Sequence, residues 1–299
     1  MIHKIESDAL VVTASEKGAE LQSIKAKDDG MEYLWQGEAP FWPGRAPILF
    51  PIVGGLKGGS YRHDDVAYTM PNHGFARASN FRCVEATANC LVFELVASPQ
   101  TKACYPFDFN LHVIYTLQAA SLHVEYLVTN FDKQDMLFSI GGHEGYRCPR
   151  EVGETFEDYY LEFYPGDHEF ISSSLTTDGL LAGGGFAVDM PGGRLPLDYK
   201  PFRNIDTYIF EDIKSKRVAL KSKKSPSYVE VAFDAPHLGI WTQTNPDDAP
   251  FLCIEPWHGL PDADGTDGLL AAKKDIVRLA AGDSRPFCHT ISIKKEAAL

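Results

Sequence analysis

The chain has 299 residues, 44% of them hydrophobic and 23% charged, which suits a globular core and excludes intrinsic disorder. Its 28 basic and 41 acidic side chains leave a formal charge of −13, against sequence-independent binding of nucleic acid or of an anionic membrane surface, both of which need clustered Lys and Arg. The most apolar window, residues 46–56, is broken by Pro47, Pro51, Gly54 and Gly55 and is too short to span a bilayer. Charges already occur within the first eight residues, among them Lys4, Glu6 and Asp8, where an export signal needs an uninterrupted apolar stretch, so a cytoplasmic location is expected.

Period-two alternation of apolar and polar residues predicts a strand at 91–96, then strands at 107–115 and 122–128 joined as a hairpin around Ala119 and Ala120. Further strands are predicted at 159–163, 207–210, 217–220, 228–233, 239–242, 251–254 and 287–293. Gly, Pro, Asn and Asp clusters at 181–193 and 244–250 read as connections, and residues 269–274 as a helical turn or two. No repeat or low-complexity linker divides the chain. The expectation is one all-β domain over residues 1–299, built from two large antiparallel sheets packed face to face.

The six cysteines, Cys83, Cys90, Cys104, Cys148, Cys253 and Cys288, are scattered and include no C-x-x-C pair, so free thiols are expected and no zinc site. Three familiar motifs fail. The glycines of Gly54–Ser60 do not place Lys57 directly after the last Gly, as a phosphate loop requires. His143 and Glu144 open like a zinc-protease helix, but Arg147 stands where the second histidine belongs. Gly-x-Ser-x-Gly does not occur.

Three polar groups in unusual local sequence remain. His73 lies in Pro-Asn-His-Gly-Phe-Ala-Arg, ending at Arg77; His143 follows Gly141 and Gly142; Glu255 ends the apolar run from Phe251. A carboxylate where an apolar strand runs out often points into a cleft that raises its pKa, and glycines beside a histidine let a ligand approach the backbone. Trp42, Phe75, Tyr146 and Trp257 are nearby rings of the kind on which the apolar face of a sugar stacks.

Taken in order, Phe50-Pro-Ile-Val-Gly-Gly-Leu, His73-Gly-Phe-Ala-Arg, Gly142-His143 and Cys253-Ile-Glu-Pro-Trp resemble the aldose 1-epimerases, and most nearly their bacterial mutarotase-related branch. The resemblance spans nearly the whole chain. It implies a β-supersandwich and the interconversion of α and β anomers of a small-molecule sugar without metal or other cofactor. It further implies His143 as general acid, Glu255 as general base, and His73 and Asp206 as sugar-binding residues. Relatives commonly carry an orienting arginine where this chain has Gly55, for which Arg45 and Arg77 are the candidate substitutes; Glu144 also departs from the family pattern. Arg45, Lys57, Arg62 and Arg77 outnumber Asp64 and Asp65, which leaves a hexose 6-phosphate open beside a free hexose. A non-catalytic carbohydrate-binding protein is the alternative of a different class. A monomer or homodimer is expected.

Overall fold

A computed structural model describes residues 1–296. Nine strands form an antiparallel sheet in the spatial order Arg194–Pro196, Tyr159–Tyr164, Arg217–Ser222, Ser227–Phe233, Ser284–Lys295, Ser121–Asn130, Phe109–Gln118, Cys90–Val96 and Arg82–Ala86. The predicted hairpin lies at its centre: Ser121 pairs with Gln118, and alternate residues Leu122, Val124, Tyr126 and Val128 turn inward. Opposite it, a six-stranded sheet runs Thr207–Phe210, His237–Trp241, Phe251–His258, Ile140–Gly142 and Ile48–Leu49, with Glu144–Arg147 also paired to Phe251–His258. Phe251–His258 is buried on both faces, which explains why its sequence reads as an apolar run rather than an alternation.

The facing surfaces share one buried cluster, including Ile140, Tyr146, Leu252 and Ile254 from one sheet and Val113, Tyr115, Val124 and Ile291 from the other. Aromatic rings interlock within it, Phe50 lying 5.2 Å from Phe109 and Phe138 lying 5.6 Å from Phe287. Full burial of each such side chain contributes roughly 1.5–3 kcal/mol. The two layers are the all-β supersandwich that the sequence predicts.

One expectation needs correction. Residues 181–193 are not a plain connection: Leu181–Val188 pairs with Phe170–Leu175 as a two-stranded ribbon. It is largely exposed and contains Gly183, Gly184 and Gly185, so no apolar alternation marks it. The turn expected at 269–274 is present as the 3₁₀ turn Leu270–Ala272. A helix at Tyr199–Ile205 went unpredicted; Asp198 caps it by accepting from the backbone N–H of Lys200, but seven residues are too few to display a 3.6-residue period. Among the described residues, no helix is long and apolar enough to cross a membrane.

Candidate active site

A cavity of about 620 Å³ lies against the six-stranded sheet, lined by residues of three of its strands, a volume typical of small-molecule sites. It brings together His73 and Arg77, His143, Asp206 and Glu255 from four separate segments. Trp42, Trp241 and Trp257 also line it.

Glu255 lies on the central strand Phe251–His258, and its side chain shares a face with Cys253 and Trp257. His143 sits between the strands Ile140–Gly142 and Glu144–Arg147, both paired to Glu255's strand, so the register alone brings the two groups together. Nε2 of His143 is 3.4 Å from Oε2 of Glu255, and both side chains are almost inaccessible to solvent. Trp42 lies against the imidazole at 5.0 Å and Trp241 meets it edge-on at 5.6 Å. Burial, with help from the negative charges of Glu144 and Asp206, pushes the Glu255 carboxyl well above its usual range. Burial, then the neighbouring His73, pulls His143 well below the ordinary histidine value. Burial thus favours the uncharged form of each group. Nδ1 of His143, Oε2 of Glu255 and Nε1 of Trp257 are buried and make no hydrogen bond within the described residues, so they remain available to a polar ligand.

His73 stands 5.5 Å from His143, ring to ring. Its backbone has φ +63°, a strained region for a non-glycine residue, and is held there by exchange with Gly54: the His73 N–H donates to the Gly54 carbonyl at 2.9 Å. The Gly54 N–H in turn donates to Nδ1 of His73 at 3.1 Å. Gly54 itself needs φ +69° and would press a Cβ to 2.5 Å from Pro261, which accounts for glycine there. With Nδ1 accepting, the ring proton sits on Nε2. Burial, assisted by Arg77, lowers His73 to about 3, so it is a neutral donor throughout the working range. Asp206 ends the helix Tyr199–Ile205 at φ +63° and accepts from the Thr207 hydroxyl at 2.8 Å.

Arg77 is in the 3₁₀ turn Ala76–Ala78 at the cavity wall. Arg45 is not brought to the site. Its Nη1 donates to the Gln22 carbonyl at 2.9 Å and its backbone N–H to Glu20, pinning the segment to the N-terminal sheet of three strands, Ile2–Glu6, Leu10–Ser15 and Leu21–Ala26. Gly55 does line the cavity, where a Cβ would make only ordinary contacts with Asn72 and Leu180 at 3.8 Å. Of the suggested rings, Trp42 and Trp257 face the cavity, whereas Phe75 and Tyr146 belong to the core. Trp241, Asn72 and Asp178 were missed. Asn72 adjoins His73 in the motif already singled out; Trp241, at the end of the strand His237–Trp241, was legible only as another strand residue.

His143, Cys253 and Glu255 also place one donor atom each within 4.8 Å of one another. Burial and the proximity of Glu255 raise the Cys253 thiol well above its normal range, so a cation bound there would first have to displace its proton.

A polar, tryptophan-walled cavity in a β-supersandwich of this topology defines the galactose mutarotase-like class. The chain belongs to the aldose 1-epimerase family, whose profile matches residues 1–267. It is 34% identical over 301 aligned positions to protein LacX of Lactococcus lactis subsp. lactis, spanning 98% of this chain and 99% of LacX. A galactose mutarotase related enzyme from Lactobacillus acidophilus superimposes with TM-score 0.93 at 32% identity, over 99% of this chain and 98% of that one. A galactose mutarotase-like protein from Lactobacillus casei ATCC 334 does so with TM-score 0.91 at 30% identity, over 98% and 100%.

Proposed function

We propose that the protein is an aldose 1-epimerase that interconverts the anomers of a free, uncharged hexose through the ring-opened aldehyde. The observation that carries the reading is the buried His143–Glu255 contact at 3.4 Å, a pair sharing one proton inside a cavity lined by further sugar-type donors and acceptors. Ring opening requires a base for the proton of the anomeric hydroxyl and an acid for the ring oxygen. Glu255 as carboxylate takes the first while His143 as imidazolium gives the second. The neutral pair and this charged pair hold the same number of protons, so transfer across the contact prepares the reactive form once sugar hydroxyls and Arg77 solvate the carboxylate. Rotation about C1–C2 and reclosure with the transfers reversed deliver the other anomer and restore the pair. His73 Nε2–H, Asp206 and Arg77 orient the hydroxyls, and the tryptophans cover the apolar sugar face.

A free sugar is favoured over a sugar phosphate by where the basic residues go. Arg45 is spent on Gln22, Lys57 on Asp264, and Arg62 on the Asp267 carbonyl. Arg77 shares the cavity lining with Asp178 and Asp206, whose two carboxylates against one guanidinium disfavour a phosphate dianion.

Anomer-exchange NMR on glucose, galactose and glucose 6-phosphate tests the reading. His143→Asn and Glu255→Gln should each lose about 10²-fold or more of the exchange rate while still binding sugar. The two losses should not add, because both groups serve one transition state. Exchange confined to glucose 6-phosphate overturns the free-hexose reading, and exchange with no aldose overturns catalysis.

A further inference from the structure

Glu144 follows His143 directly, yet strand alternation sends the two side chains to opposite faces. His143 faces the cavity, whereas Glu144, opposite Ile254 in the register, points between the two sheets and is 2% exposed. There its Oε1 accepts a hydrogen bond of 2.9 Å from Nε2 of His289, a residue of the central strand Ser284–Lys295 in the nine-stranded sheet. The contact thus crosses the layers, and both ends are buried. A Cβ on Gly142 would come within 2.6 Å of both Glu144 carboxylate oxygens, so the carboxylate rests against the backbone just ahead of His143. Its Oε2 makes no hydrogen bond.

Such an arrangement is not explained by stability. Burying charged and polar groups carries a large desolvation cost, and well-packed apolar replacements are often neutral or stabilising. The site supplies a reason for it. Near Glu255 are His143 from the neighbouring strand break, Asp206 from the helix end, Cys253 and Trp257 from its own strand, and Glu144 on the opposite face of the sheet. Around Glu144 stand His289, Tyr115, Tyr126, Tyr146 and Cys253. Among these neighbours, Glu144 comes directly after burial itself as a cause of the raised Glu255 pKa.

We propose that Glu144 is the positioning residue of this site: clamped by His289 across the sheets and lodged against Gly142, it holds the strand break that presents His143 and sets an acidic side chain behind Glu255. The consequence for turnover rests on the epimerase reading; the placement of Glu144 does not. Glu144→Gln keeps the shape and removes the acid. Carbon-13 NMR titration of the Glu255 carboxyl, assigned by its disappearance in Glu255→Gln, should then show a midpoint lower by about one unit or more, a tenfold or greater loss of proton affinity. His289→Gln keeps an N–H donor for Oε1 of Glu144 and should leave the same midpoint in place. A shift in Glu144→Gln without one in His289→Gln distinguishes loss of the acid from loosening of the contact between the sheets. An unchanged midpoint in folded Glu144→Gln, or an equal shift in both variants, overturns the proposal. If Glu144→Gln does not fold, Gly142→Ala, whose Cβ must displace the Glu144 carboxylate, decides by the same readout: an unmoved midpoint overturns the proposal. The expected shift in a protein that exchanges no aldose would uphold this role and sink the epimerase reading instead.

Discussion

Glu255 and His143 differ from isolated model groups mainly because both are removed from water. Desolvation disfavours the charged form of each, so the carboxyl rises and the imidazole falls. The proposed one-proton pair has a kinetic consequence. The form competent for anomer exchange holds one proton between the two groups, and it is lost when the pair gains a second proton or gives up its only one. kcat/KM should therefore follow a bell in pH. Its acid limb should lie below the ordinary histidine range, because a second proton must enter His143 in a buried site already holding His73 and Arg77. Its alkaline limb should lie above the ordinary carboxylate range, because Glu255 holds its proton against burial and Glu144. A rate profile that rises through the normal histidine value as His143 loses a proton would contradict the shared-proton pair.

At the scale of elements, the arginines separate by what their segments do. Arg77 stands on a short turn whose preceding residues include His73, so its guanidinium reaches the cavity. Arg45 is fixed to the strand Leu21–Ala26 through Gln22. Arg77→Ala should raise KM for a free hexose several-fold with a smaller change in kcat. Arg45→Ala should leave KM unchanged and lower the denaturation midpoint, the loss being about 1 kcal/mol for one charged hydrogen bond. Equal KM effects in steady-state exchange kinetics would show that orientation does not depend on Arg77. The same contrast bounds what could be read from the sequence. Strand alternation exposed the hairpin 107–128 and the flanking strands because one face of each meets the core. The ribbon Phe170–Leu175 with Leu181–Val188 buries too little to leave that pattern, and the three N-terminal strands lie among scattered charges. Glu255 and His143 were legible as polar residues at the ends of apolar or glycine-rich runs. Their contact was not, since it depends on the register of Glu144–Arg147 against Phe251–His258. Nor could spacing show that Glu144 turns inward to a residue 145 positions away.

For the whole molecule, the cost of building this site falls on its tolerance of acid. His73 has its pKa lowered to about 3 and His143 is also held low, so folding favours their neutral forms. Unfolding restores an ordinary histidine near 6.5, so below that pH the unfolded chain binds protons that the folded one refuses. Stability is then lost as pH falls, at about 1.4 kcal/mol per pH unit for each such histidine. Glu255 acts with the opposite sign: its folded pKa is raised, so unfolding near neutrality releases a proton and acidification favours the fold. Above the unfolded glutamate value near 4.5 Glu255 therefore opposes the histidines, and below it Glu255 falls silent. His73→Gln isolates one contribution, because the glutamine amide oxygen can take the Gly54 N–H while binding no proton. Urea unfolding of the wild type and this variant at pH 7, 6, 5 and 4 should give a stability difference that shifts in the variant's favour by about 1.4 kcal/mol per unit below 6.5. Parallel stability curves across that range would mean that His73 takes up its proton in the fold as readily as in the unfolded chain. It would then be a charged rather than a neutral donor to the sugar.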